Sequence, residues 1–157
     1  MIRIRRIIAG GQTGADRAAF DFALEHGFGI GGYIPRGRRA EDGPLPETYP
    51  NLTETPEKSY AVRTELNVRH SDATLILSHG PLTGGSRLTA KLARRHRKPA
   101  LHLDFAAAAT DELIEKARRW LAAINCESLN VAGPRASTDP EIYAKTKSFL
   151  ERLFAGQ

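Results

Sequence analysis

Short apolar segments alternate with helical patterns along the whole chain of 157 residues. Strands are predicted over residues 4–9, 28–34, 73–77, 100–103 and 128–131, and between them apolar residues recur every three or four positions, as in helices. Because these strands are apolar on both faces and are separated by helices, they favour a parallel sheet covered on both sides. We therefore expect a single α/β domain over residues 1–157, with a Rossmann-like three-layer α/β/α fold and a mainly parallel sheet of about five strands.

The first half of the chain contains a long segment without a regular pattern. Residues 36–54 are polar and rich in Pro and Gly, which is typical of a functional loop rather than of a short connection. Before this segment, a helix is expected over residues 14–26, with Gly27 following its end. After it, the sequence Thr55-Pro56-Glu57 predicts the start of a helix that continues to about His70.

The composition limits where such a domain works and what it binds. No apolar run approaches the ~18 residues of a membrane span, and the basic N-terminus lacks the continuous apolar region of a signal peptide. A single cysteine, Cys126, cannot form an internal disulfide, so we expect a cytoplasmic protein without a membrane partner. The net charge of +5 favours small anionic ligands or nucleic acid as partners.

Three glycine-rich loops each follow a predicted strand, which is where parallel α/β sheets bind ligands. In the first loop, glycines let the backbone approach a ligand, and the free N–H groups of the next helix attract an anion. Thr13 and Asp16 also match a capping box, in which side chains would satisfy those same N–H groups. Both interpretations stay open, with anion binding favoured. The candidate residues are Gly10, Gly11, Gln12, Thr13, Gly14 and Asp16.

The second loop, at residues 80–87, lies between a buried strand and a helix, and its hydroxyl groups are further donors for an anion. The third loop follows the last strand and adds a guanidinium that can bind an oxyanion through two hydrogen bonds. One small domain does not need two such loops for its turns alone, so the repetition indicates an anion site. The candidates from these loops are Thr83, Gly84, Gly85, Ser86, Gly133 and Arg135.

Basic residues outside these loops have two interpretations each. Arg36 and Arg39 follow the second strand and are candidates for the rim of the pocket, although the neighbouring acids Glu41 and Asp42 are available to pair with them. The basic stripe over residues 87–98 fits a nucleic-acid face, but it is more simply the solvated side of a helix, so nucleic acid is not expected as a partner. The five histidines have no metal-binding spacing, so no protein-ligated metal is expected.

The order of these motifs resembles the family of putative molybdenum carriers. The matching segments are residues 10–18, 31–43, 60–74, 80–85 and 130–135, and the third of them contains Arg63 and Thr64. The resemblance implies a Rossmann-like homo-oligomer within the wider group that includes the LOG-type phosphoribohydrolases. It also implies a basic pocket for molybdenum cofactor, a phosphate-bearing pterin with a molybdenum–dithiolene group, and a molybdoenzyme or cofactor-biosynthesis protein as partner.

One departure from the related hydrolases bears on catalysis. LOG-type enzymes use a glutamate a few residues after their second glycine-rich loop, whereas residues 84–90 of this chain contain no carboxylate. We therefore expect a binding protein without catalytic residues, most simply a carrier of molybdenum cofactor (molybdopterin). One alternative is a nucleoside-monophosphate phosphoribohydrolase, which would have to use Glu41, Asp42 or Glu65. Another alternative is a nucleotide-binding regulatory protein.

Overall fold

The computed structural model describes residues 2–157, which form a six-stranded sheet with helices on both faces. The strands are β1 (Arg6–Ile8), β2 (Gly29–Ile34), β3 (Leu52–Glu54), β4 (Ala73–Ser78), β5 (Ala100–Asp104) and β6 (Ser128–Ala132). The helices are α1 (Ala15–Glu25), α2 (Tyr60–His70), α3 (Gly84–Arg95), α4 (Thr110–Ala123) and α5 (Ile142–Leu153). The expected Rossmann-like three-layer α/β/α fold is confirmed, with one strand more than predicted.

The strand order places the last strand of the chain at the centre of the sheet. The order is β3-β2-β1-β6-β4-β5, and each neighbouring pair is parallel. When the strands are counted from β6, the order becomes that of a doubly wound sheet, in which the direction of winding reverses between β6 and β4. Ligands of such sheets bind beyond the carboxyl ends of the strands at this reversal.

The two faces of the sheet are packed differently. The larger hydrophobic core lies under α1, α4 and α5 and includes the buried aromatic side chains Phe20, Phe22 and Phe149. The core under α2 and α3 is small, with Val68 and Leu92 among its few buried apolar side chains. The helices on this second face thus leave room for polar groups between them. No helix of residues 2–157 combines the length and the apolar character needed to cross a membrane.

The additional strand, β3, lies within the segment that the sequence predicts as a loop. It pairs with β2 at the edge of the sheet over only three residues. The rest of the segment, residues 36–51, is held by a network around Arg38, whose guanidinium donates to the carbonyl oxygens of Leu45, Pro46 and Tyr49 at 2.8 to 3.0 Å. Because Leu45 is also buried in the larger core, this loop is ordered against the domain.

The start of α2 is four residues later than the sequence predicts, with Ser59 instead of Thr55 as the cap. The Thr55 N–H donates to the Ile34 carbonyl oxygen at 2.8 Å, so Thr55 continues the pairing with β2 instead of beginning a helix. Ser59 is the N-cap of α2, and its hydroxyl accepts a hydrogen bond from the Ala61 N–H at 3.2 Å. Pairing of the edge strand therefore overrides the helix-start pattern at residues 55–57.

Asp72 ties the start of β4 to the start of β6. Its Oδ2 accepts hydrogen bonds from the N–H groups of Glu127 and Ser128 at 2.9 and 3.0 Å. The Ser128 N–H and the Glu127 N–H hold the pKa of Asp72 below its ordinary value of 3.8, against the opposing effect of burial. A carboxylate with a lowered pKa in the folded state stabilises the fold above the pKa of the unfolded chain, and that stabilisation is lost as the pH falls.

We expect the substitution Asp72→Ala to lower the free energy of unfolding by about 1 to 2 kcal/mol at pH 7, because it leaves two strand N–H groups without their acceptor. Urea denaturation measures the change. The difference between wild type and variant is expected to shrink as the pH falls below 3.8, the ordinary pKa that Asp72 has in the unfolded chain, and toward its lower pKa in the folded protein. Glu115→Ala, which removes an exposed carboxylate from α4, is the control. A difference that stays constant down to pH 3 would contradict the assigned role.

Candidate anion-binding cleft

A cleft of about 220 Å³ opens at the carboxyl ends of β1, β6 and β4, beside the winding reversal. Its walls come from the start of α1, the first turns of α2 and α3, and the loop after β6. The sequence candidates that line it are Gln12, Asp16, Thr83, Gly84, Gly85, Ser86, Gly133 and Arg135. The structure thus brings parts of all three glycine-rich loops to one cleft.

The N-terminus of α3 is open toward this cleft. Thr83 is the N-cap residue, and its side chain makes no capping hydrogen bond. A Cβ atom added at Gly84 or Gly85 would meet no other atom within 4 Å, so the backbone there is not covered by protein. The first N–H groups of a helix have no partner within the helix and carry partial positive charge, and this turn can therefore accept an anion.

The N-terminus of α1 is closed by the loop after β6. The Ala15 N–H donates to the Pro134 carbonyl oxygen at 3.1 Å. Gly14 has a φ of 79°, and a Cβ atom there would lie 2.4 Å from that same oxygen. A carbonyl of the protein therefore occupies the place that the sequence assigns to an anion.

The capping box, which is the alternative interpretation of Thr13 and Asp16, does not form in the structure. Neither side chain caps α1, whose N-cap residue is Gly14. The Thr13 hydroxyl instead accepts from the Ala136 N–H at 3.0 Å and donates to Glu41, while Asp16 accepts from the Gln12 N–H at 3.2 Å. Contacts with the loop after β6 and with the 36–51 loop, neither of which is adjacent in sequence, therefore engage the Thr13 hydroxyl, whereas Asp16 is bound within its own loop.

The other sequence candidates lie beside the cleft rather than in its lining. Gly11 packs near Ile34 and Leu45, and Arg36 is exposed in a short turn after β2. The Arg39 guanidinium lies 4.4 Å from the centre of the Tyr60 ring, which does line the cleft, and donates to the Lys58 carbonyl oxygen at 2.9 Å. Arg39 can therefore affect the cleft only through Tyr60.

Arg63 on α2 is a cleft residue that the analysis of the loops does not identify. Its guanidinium lies flat on the backbone of Gly10, where an added Cβ would be 2.5 Å from Nη1. Nη1 donates to the Thr64 hydroxyl at 2.8 Å, and Nη2 is 3.9 Å from Oδ2 of Asp16. The Arg63 Nε–H is buried and has no hydrogen-bond partner within residues 2–157.

The sequence contains one indication of this arrangement. Arg63 and Thr64 belong to a segment that resembles the molybdenum carriers, but nothing in the helical pattern distinguishes them from the other polar residues of α2. Gly10 is a sequence candidate because of its conformational freedom. In the structure it matters because the absence of a side chain lets the Arg63 guanidinium lie against its backbone.

The carboxylates proposed for a hydrolase are engaged outside the cleft. Glu41 accepts from the N–H and hydroxyl groups of Ser137 at 3.1 and 2.5 Å and lies 3.8 Å from the Arg135 Nε. Burial acts to raise the pKa of Glu41, but the Ser137 and Thr13 hydrogen bonds and the Arg135 charge outweigh it, so that this pKa is lowered.

The other two of these carboxylates each contact a basic side chain. Asp42 accepts two hydrogen bonds from the Arg17 guanidinium, at 3.0 and 3.1 Å, which lower its pKa. Glu65 contacts Nε2 of His96 at 2.9 Å and joins α2 to α3. The alternative interpretation, in which Glu41 and Asp42 pair with Arg36 and Arg39, is not found in the structure: Glu41 contacts Arg135 and Asp42 contacts Arg17. Among the described residues that line the cleft, Asp16 is the one carboxylate.

The fold and the cleft define a doubly wound, Rossmann-like protein with an open cleft at its winding reversal. The chain belongs to the circularly permutated YpsA SLOG family, whose model matches residues 7–154. The crystal structure of a putative molybdenum carrier protein from Syntrophus aciditrophicus SB is similar, with a TM-score of 0.96 and 49% sequence identity over 98% of this chain and 97% of that chain. The resemblance to this family is confirmed. Among curated proteins, none matches this chain.

The two glycine-rich helix starts differ enough for a test by substitution. We expect Gly14→Ala to lower the free energy of unfolding by about 2 kcal/mol or more, because the added Cβ meets the Pro134 oxygen and the φ of 79° is unfavourable for alanine. Gly85→Ala is the matched control, and we expect it to be neutral or slightly stabilising because its Cβ meets nothing. Thermal and urea denaturation measure both. Equal effects at the two positions would contradict the closed and open helix starts.

Proposed function

We propose that the cleft binds an anionic, phosphate-bearing ligand, most simply molybdenum cofactor, and that the protein carries this ligand without transforming it. The Arg63 guanidinium is the observation on which the proposal rests. It is fixed by Gly10 and Thr64, yet its buried Nε–H has no acceptor among residues 2–157. A buried donor without a partner costs about 1 to 3 kcal/mol, so an oxyanion placed there would be bound with a corresponding gain.

The surroundings of Arg63 support an anion. The open N-terminus of α3 and the Arg135 guanidinium line the same cleft, so positive charge converges from three elements. Arg135 is half-exposed and is partly neutralised by Glu41, which makes Arg63 and the α3 turn the main attractive groups. The phosphate of the ligand would then lie at Gly84 and Gly85, where the uncovered backbone gives it room.

The residues present fit the organic part of molybdenum cofactor better than its metal. Cys126, the sole cysteine of the chain, lies next to the start of β6, at the end of the sheet away from the cleft. Burial and the nearby Asp72 charge raise the pKa of this thiol to about 12, so it stays protonated. The cleft would hold the cofactor by its phosphate and its ring, while the dithiolene group of the cofactor supplies the sulfur ligands to molybdenum.

The partners follow from the cargo. The similar crystal structure is described as a putative molybdenum carrier protein, and this description supports a molybdenum-containing ligand for a chain 49% identical to it. On this proposal the protein delivers the cofactor to a molybdoenzyme or to a protein of cofactor synthesis, and works as a homo-oligomer. Native mass spectrometry with and without the cofactor measures both the stoichiometry of binding and the number of subunits.

We expect Arg63→Ala to weaken binding of molybdenum cofactor and of inorganic phosphate by about 10- to 100-fold, as for loss of a charge-assisted hydrogen bond. Gly10→Ala should weaken binding in the same direction, because its Cβ displaces the guanidinium without removing it. Isothermal titration calorimetry measures both affinities, and molybdate alone serves as a third ligand that tests whether the free metal oxyanion binds.

Arg36→Ala is the matched control for charge, because Arg36 is an exposed arginine outside the cleft. We expect it to leave the affinities within about twofold of wild type. Wild-type affinity in both Arg63→Ala and Gly10→Ala would remove the cleft from the proposed site. Release of free adenine during incubation with AMP would instead show a phosphoribohydrolase, and would contradict a carrier without catalysis.

A further inference from the structure

Asp16 is a carboxylate in a cleft whose other charges are positive. Its side chain is 7% exposed, and it lies in the first turn of α1 at the wall of the cleft. Burial raises the pKa of Asp16, although the Arg63 charge and the Gln12 N–H oppose the rise. A carboxylate at this position repels a bare anion, so anion binding alone does not account for it.

The contacts of Asp16 within the protein leave acceptor capacity unused. Oδ2 accepts from the Gln12 N–H at 3.2 Å, the Gly10 N–H also acts on this carboxyl as a backbone hydrogen-bond donor, and the Arg63 Nη2 is at 3.9 Å, beyond hydrogen-bond distance. An ionised carboxylate has about four acceptor positions on its two oxygens. The remaining positions are available to donors that enter the cleft with a ligand.

Gln12 presents the complementary group beside Asp16. Its Oε1 accepts from the N–H groups of Thr13 and Glu41 at 3.0 and 2.9 Å. These two bonds fix the orientation of the amide, so its NH₂ group is the part that remains as a donor at the wall of the cleft. Gln12 and Asp16 therefore form a fixed donor–acceptor pair.

We propose that Asp16 and Gln12 recognise the ring of the ligand, with the Asp16 carboxylate accepting from a ring N–H and its neighbouring amino group while the Gln12 amide donates to a ring carbonyl oxygen. This pattern is complementary to a 2-amino-4-oxopyrimidine edge, which pterins and guanine share. The proposal rests on the proposed function, because the ring is taken to enter the cleft on a ligand whose phosphate lies at Arg63 and α3. In this proposal Asp16 selects the ring of the ligand, and Arg63 and the N-terminus of α3 attract its phosphate.

The test is a calorimetric titration of the full chain with four ligands. GMP, IMP and AMP carry the same ribose phosphate, but GMP has the ring N–H and the amino group, IMP has the ring N–H alone, and AMP lacks this pattern. 6-Hydroxymethylpterin monophosphate presents the same edge as GMP, but on a pterin ring instead of a purine ring. Whichever of these two ligands binds more tightly therefore identifies the kind of ring that the cleft recognises. We expect the stronger one to bind about 10- to 100-fold more tightly than AMP.

Asp16→Asn is the decisive variant, since asparagine keeps the shape and can still accept from the Gln12 N–H. It should weaken the stronger ring ligand by about 10- to 100-fold and bind inorganic phosphate as tightly as wild type or more tightly, because a repelling charge is removed. Asp111→Asn, which neutralises an exposed carboxylate on α4, is the matched control. A thermal melt checks that each variant is folded, and if Asp16→Asn does not fold, the wild-type order of GMP, IMP and AMP decides.

Three outcomes would overturn the proposal. The first is that Asp16→Asn binds GMP and 6-hydroxymethylpterin monophosphate as tightly as wild type does, and the second is that wild type binds AMP as tightly as these two ligands. The third is that wild type binds inorganic phosphate but binds neither GMP nor 6-hydroxymethylpterin monophosphate. The last result leaves the anion site at Arg63 intact and rejects only the role of Asp16. Failure of phosphate and cofactor to bind wild type would instead reject the proposed function itself.

Discussion

The position of β6 between β1 and β4 is the constraint on which the rest of the structure depends. Strands β3, β2 and β1 form one half of the sheet and β4 and β5 the other, and in the described chain the two halves are joined through β6. The sheet is therefore complete only when the last strand of the chain has been added. Asp72 strengthens this junction at the amino end, where the N–H groups of Glu127 and Ser128 converge on one carboxylate.

The same strand decides which helix start is available to a ligand. Because β6 lies next to β1, the loop that follows it passes over the start of α1, where Pro134 accepts the Ala15 N–H and approaches Gly14. The start of α3 lies beyond β4, on the other side of β6, and is not covered in this way. Two loops with similar glycine content thus have different roles, one as a packing surface and one as a wall of the cleft.

The sequence was sufficient to predict the features that depend on a local pattern of residues. It was insufficient to predict the features that depend on the order of the strands in the sheet. Buried strands such as β4 and the three glycine-rich loops are evident in it, whereas β3 is too short and too exposed to give a pattern. Thr55 and Ser59 are both suitable helix caps, and pairing with β2 decides between them. The contact of the Arg63 guanidinium with the Gly10 backbone joins residues that are 53 positions apart in the numbering, so only the fold reveals this contact.

The negative charge of Asp16 and the positive charge of Arg63 have to be considered together to explain what the cleft can bind. A site for phosphate alone would bind more strongly without Asp16, since a buried carboxylate costs free energy and repels the ligand. Arg63 compensates part of this charge at 3.9 Å but forms no hydrogen bond with it, and its buried Nε–H has no acceptor among residues 2–157. The pair therefore offers a donor and an acceptor in one cleft, and a ligand that satisfies both must carry an anionic group as well as N–H groups. A phosphate-bearing pterin has both features, which links the proposed cargo to Asp16, the one carboxylate among the described residues that line the cleft.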